Sequence, residues 1–72
     1  MENRKHFIDN FRNTVIRAAR VRLKGYIDAA NKLDSRIDSY YSTAGTFGFS
    51  DDDLSVIETD LRHDTEIQFS KE

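Results

Sequence analysis

RKHFIDNFRNTVIRAARVRLKGYIDAANKLDSRIDSYY, residues 4–41, decides how this chain is built. Within it Ile8, Phe11, Val15, Ala19, Leu23, Tyr26, Ala30, Leu33, Ile37 and Tyr40 recur at steps of three and four. The mean step is about 3.6, the period of an α-helix, so all ten fall on one face. Arg, Ala, Lys and Leu dominate Arg17 to Lys24, and the whole chain lacks proline, so nothing but Gly25 interrupts a helix here.

Gly25 admits two molecules. In the first a single amphipathic helix runs through it from about residue 4 to 41, at a cost of about 1 kcal/mol relative to Ala. The stripe crosses Gly25 in phase, from Leu23 to Tyr26 to Ala30, and this is the leading expectation. In the alternative, a three-helix bundle, Gly25 ends a helix in left-handed conformation. Arg17, Arg20, Arg22 and Lys24 then sit in its last turns, Tyr26 approaches Val21 as in a Schellman motif, and Asp28 caps a second helix.

The straight helix would be about 55 Å long, against a radius of gyration of about 11 Å for a compact chain of this size. Nothing else in the sequence is long enough to cover it. From Leu23 onward the steps alternate four and three, a coiled-coil-like pattern. The straight reading therefore implies a homo-oligomer, a dimer favoured, with Phe11, Val15, Leu23, Tyr26, Leu33, Ile37 and Tyr40 as the interaction stripe.

After Tyr41 the helical pattern stops. Residues 42–49, Ser-Thr-Ala-Gly-Thr-Phe-Gly-Phe, read as a loop. Phe47 and Phe49 in it either fold back on the helix ends or anchor a partner. Ser50 before Asp51, Asp52 and Asp53 marks a helix start, with a serine N-cap, capping-box spacing to Asp53 and acids in the first turn. Leu54, Ile57 and Leu61 give this short acidic helix, expected over 50–63, an apolar edge to pack back on the first. Thr65, Ile67 and Phe69 alternate with Glu66 and Gln68 in strand fashion, but such a strand has no mate here, so 65–72 reads as a flexible tail that orders only if something pairs with it.

The fold expected is thus all-α and a single small domain. With 38% hydrophobic and 33% charged residues and no cysteine, disulfides and thiolate sites are excluded, and self-association is the remaining way to add stability. No apolar run approaches the length of a membrane span, and the N-terminal residues lead into no signal-peptide apolar region; the expected setting is soluble, unprocessed and cytoplasmic.

The net charge of −2 conceals a split. Residues 1–24 hold seven basic and two acidic side chains (+5), residues 25–72 four basic and eleven acidic (−7). Arg17, Arg20 and Lys24 fall nearly opposite the stripe, a small basic patch that reads as solvated surface or as a phosphate-binding face. Arg12 and Arg22 flank the stripe and are expected to meet the acidic helix at Asp53, Glu58, Asp60 or Asp64. Asp51, Asp52, Asp53, Glu58 and Asp60 form a possible acidic partner surface.

Asp34 with Asp38 and Asp60 with Asp64 are like-charge pairs one turn apart, each unfavourable unless a basic partner intervenes. No nucleophile motif, phosphate loop or repeat is present, and His63 with Asp60 and Asp64 is too sparse for a metal site. No catalytic residue, cofactor or metal is expected. The function expected is a non-enzymatic protein–protein interaction module, a small regulator or inhibitor of a larger partner. The alternative is a nucleic-acid-binding protein using the basic N-terminal helix.

Overall fold

A computed structural model of the chain describes residues 2–72, and side chains from Asn3 onward. Among these residues are three α-helices: α1 (Glu2–Leu23), α2 (Ile27–Thr43) and α3 (Asp51–Lys71). A 3-10 turn over Ala44–Phe47 tightens the end of α2. The principal extents are 36 × 23 × 20 Å, the longest being close to the length of α1 itself.

The single straight helix over 4–41 is not what forms; the three-helix alternative is. Gly25 has φ +90°, a left-handed conformation that disfavours any L-residue with a Cβ. Around it the Tyr26 amide donates to the Val21 carbonyl (2.9 Å) and the Gly25 amide to Arg22 (3.0 Å), the paired bonds of a Schellman motif. Arg20 and Arg22 in the last turn suit the negative end of the α1 dipole. The second helix begins earlier than an Asp28 cap would allow: Tyr26 occupies the cap position without a side-chain bond, and Asp28 lies in the first turn, where its charge favours the dipole.

The in-phase stripe misled because phase is preserved through a reversal. Leu23 and Tyr26 bracket the turn rather than continuing a buried face, and Tyr26 is 63% exposed. Bending lets the chain cover its own stripe: Phe11, Val15, Ala30 and Ile37 are buried, with Leu33 and Tyr40 packed against them. The ground for a coiled-coil-like dimer, an apolar stripe too long for the chain to cover, is thereby removed.

Helix α2 returns antiparallel to α1, and α3 runs alongside α1 in the same direction, so that Phe49 lies by Arg4 at one end and Glu72 by Arg20 at the other. Both lean on α1 more than on each other. A helix with two neighbours needs a wide apolar face. α1 supplies it through a second row, Phe7, Phe11, Thr14 and Ala18, beside the row of Val15 and Ala19. Thr14 is tolerated inside because its hydroxyl donates to the Asn10 carbonyl at 2.8 Å.

The loop reading of 42–49 holds from Gly48 onward, which at φ +82° ends the 3-10 turn. Phe47 and Phe49 fold back: their rings stack on Phe7 at centroid separations of 4.6 and 5.7 Å. Phe7 also meets Tyr40 edge-on at 5.5 Å, and Phe11 meets Tyr40 and Tyr41 at 5.9 and 5.8 Å. Such pairs contribute about 0.5–1.5 kcal/mol each beyond burial.

Ser50 caps α3 as its spacing predicts, with the full box: its hydroxyl accepts from the Asp53 amide (3.1 Å) and the Asp53 carboxylate accepts from the Ser50 amide (3.0 Å). Those bonds from Ser50 hold the Asp53 carboxyl below its usual value.

The extended tail does not form, since α3 continues to Lys71. Leu54, Glu58, Leu61, Thr65 and Phe69 recur at helical steps, and α1 is long enough to support them all. Thr65 is buried, its hydroxyl donating to the Leu61 carbonyl at 2.7 Å. The period-two alternation of Thr65, Ile67 and Phe69 was too short to outweigh this, and it leaves Ile67 42% exposed.

Candidate binding surface

The charges are distributed around α1 in three ways. On the side where α2 and α3 face each other, they are joined. Arg22 from α1 donates to the Asp34 carboxylate and to Asn31 (3.2 Å), and Arg62 from α3 reaches the same Asp34 at 3.1 Å. Arg62 also holds Glu58 at 2.9 Å, and Glu58 accepts from the Tyr41 hydroxyl at 2.6 Å. Burial alone would pull the Arg62 pKa down, but bonds to Glu58 and Asp34 outweigh it and the net shift is upward. Burial and then the Glu58 carboxylate push the Tyr41 phenol well above its usual 10.0.

This polar chain ties the three helices together, and it revises three expectations. Arg22 pairs within the chain but with α2, not with the acidic helix. Glu58 is turned inward and is no part of an acidic outer surface. Asp34 is separated from Asp38 electrostatically by two arginines, which accounts for that like-charge pair.

The outward face of α3 is acidic. Asp51, Asp52, Asp53, Asp60 and Asp64 are all exposed on α3: Asp52 and Asp60 point away from α1 with Val56, 62% exposed, between them, while Asp64 lines the α1/α3 groove beside Arg20. Among the described residues no group of three or more His, Asp or Glu side chains converges on a metal-sized site.

The third side is the groove between α1 and α2 that faces away from α3. Two adjoining depressions that share Asn10 and Tyr40 mark this furrow, and a third, on α2 itself, adjoins them at Arg36 and Tyr40. Its α1 wall carries Asn3, His6, Asn10, Asn13 and Arg17, spaced three and four apart along about 21 Å. The α2 wall carries Arg36, Ser39, Tyr40 and Thr43, and Phe47 closes one end. No carboxylate of the described residues lines it.

The expected basic patch is thus divided. Arg17 lines the furrow, Lys24 lies exposed in the turn before Gly25, and Arg20 swings to the other side of α1 to meet Glu72 at 3.4 Å. Arg12 is exposed on α1 outside the furrow. Arg36, Asn10, Asn13 and His6 were missed as site residues, although the Asn3-to-Arg17 row was legible by the same counting that found the apolar stripe.

Phe47 and Phe49, the possible partner anchors, are half-buried in the aromatic stack, with the Arg4 guanidinium 4.9 Å from the Phe49 ring centre. Apolar exposure gathers instead at the Gly25 turn, where Leu23, Tyr26 and Ile27 are 37, 63 and 48% exposed. No helix among the described residues is long and apolar enough to cross a membrane. Comparison with protein-family models, curated proteins and solved structures returned no match.

Proposed function

We propose that this chain is a non-enzymatic interaction module, a small regulator or inhibitor that acts by occupying a charged surface of a larger partner. The observation that carries this is the segregation of surface charge: a furrow lined by arginine and amides with no acid among the described residues, and an acidic outer face on α3. Segregated charge steers encounter and selects complementary partners, whereas catalysis asks for titratable groups converging in a partly dry pocket. In this fold the strongly shifted tyrosine, Tyr41, belongs to an interhelical strut, and the furrow is an open surface feature.

A titration of the labelled protein against a model polyanion, polyglutamate, and a model polycation, polylysine, tests it. Salt-dependent binding to at least one, weakened by charge reversal on the matching face (Arg17→Glu with Arg36→Glu, or Asp52→Lys with Asp60→Lys), is expected. Binding to neither at low ionic strength would overturn the proposal. A nucleic-acid partner is favoured over a protein one by the arginine on each wall of the furrow and the amides beside them.

A further inference from the structure

We infer that the α1/α2 furrow is a seat for the phosphate backbone of a nucleic acid, an assignment that rests on the furrow being a binding surface at all. The arginines of this protein are otherwise engaged internally. Arg20 is paired with Glu72, Arg22 with Asp34, Arg62 with Glu58 and Asp34, and Arg4 lies over Phe49. Among the described residues three arginines have no such partner, Arg12, Arg17 and Arg36, and two of them face one another across the same depression.

Between them lie Asn10, Asn13 and Tyr40; Thr14, also in this lining, has its hydroxyl committed to the Asn10 carbonyl. Lys32 is exposed one turn before Arg36 on α2. Of the acids on these helices, Asp34 is held by Arg22 and Arg62, Asp38 lies about 160° around α2 from Arg36, and Asp9, exposed on α1 one turn before Asn13, flanks the furrow without being part of its lining. A guanidinium on each wall with amides between is the donor set that phosphate oxygens draw on. Asparagine and arginine are also the side chains that reach adenine and guanine edges.

An acidic protein segment is the competing occupant, and the furrow suits it less well. A docked helix or strand needs apolar anchor pockets along its length. Here Phe7 and Phe47 lie at one end and Tyr40 midway, and all three rings are already packed in the aromatic stack, which leaves no row of apolar pockets along the furrow. The polar wall, by contrast, runs about 21 Å, the rise of about six base pairs.

The test is anisotropy of a labelled oligonucleotide of about 20 nucleotides, single-stranded and as a duplex, with full-length protein across a salt series, beside polyglutamate. Neutralising two to three phosphates predicts that affinity falls roughly ten- to thirtyfold between 50 and 200 mM salt. Arg17→Gln with Arg36→Gln is expected to weaken binding at least tenfold and to flatten the log–log salt slope by about two. Arg12→Gln, outside the furrow, is expected to bind within about twofold of the parent, its slope changing by well under one.

Melting of each variant at the parental temperature establishes that the fold is intact. Preference for one oligonucleotide form over the other assigns the strand state within the proposal. Absence of salt-dependent binding, equal loss in Arg12→Gln, or an unchanged slope in the double variant overturns it. Polyglutamate bound as tightly as either oligonucleotide also overturns it, while leaving the interaction-module proposal standing.

Discussion

Replacing Gly25 with Ala tests the reason the chain folds back on itself. The residue sits at φ +90° with no heavy atom within 4 Å of where a Cβ would lie, so the substitution adds strain without collision. Left-handed backbone costs an L-residue about 1–2 kcal/mol. The variant recovers about 0.4–1 kcal/mol because its unfolded chain is less free. The net is about 1 kcal/mol of lost stability, a fall of roughly 4–8 °C in Tm for a domain of this size.

The balance between bent and straight forms moves further, by about 2–3 kcal/mol, since Ala also favours the uninterrupted helix by about 1 kcal/mol. A 72-residue domain has about 4–11 kcal/mol of stability in all, so the variant is expected to remain bent and to keep the parental mass in solution. Thermal melting followed by circular dichroism, with light scattering on dilution, measures both. Gly45→Ala is the control: its φ is not positive and its Cβ would meet nothing, so its Tm should hold or rise. A Gly25→Ala protein that melts at or above the parental temperature with the parental mass would refute the claim that the left-handed turn is required.

Ser50→Ala removes the hydroxyl of the α3 cap and is expected to lower stability by about 1 kcal/mol, read from urea melts. The Asp53 carboxyl in the same box has a folded pKa below its usual 3.8; its stabilising effect is therefore present above that value and lost as pH falls below it. The parent should accordingly lose more stability than Ser50→Ala on acidification through this range. Tyr41→Phe leaves Glu58 with Arg62 alone and should cost about 0.5–1.5 kcal/mol. Because folding raises the Tyr41 pKa, its contribution is full below pH 10.0 and declines above it, so the variant should show a shallower alkaline loss of stability. Ultraviolet titration of the parent beside Tyr41→Phe should assign to Tyr41 a phenol that ionises only as the fold is lost. Phe11→Ala empties the centre of the core and, at about 3–5 kcal/mol, should remove about half of the stability, read from urea melts.

Much of this molecule was legible from local chemistry. The α3 start at Ser50 was readable because capping is decided within four residues, and the packing of Phe11, Val15, Ala30 and Ile37 because helical phase is a property of the chain alone. The Schellman turn at Gly25 was written there too, as one of two consistent readings. Its selection needed the tertiary balance: a straight helix leaves its stripe in water, and a bent one buries it against α2 and α3 at the cost of one left-handed residue that glycine supplies without strain. The same balance made residues 65–71 helical, because α1 offers a wall for Thr65 and Phe69 that five alternating residues cannot announce.

Charge pairing lay furthest from the sequence. Counting along the chain places Arg17, Arg20 and Lys24 together and gives Arg22 to the acidic helix. Only the packing of three helices sends Arg20 to Glu72, brings Arg22 and Arg62 to one aspartate, turns Glu58 inward to Tyr41, and leaves Arg17 opposite Arg36 across one furrow. An ion pair depends on distances between side chains far apart in sequence, and those distances exist only once the core has set how the helices lie.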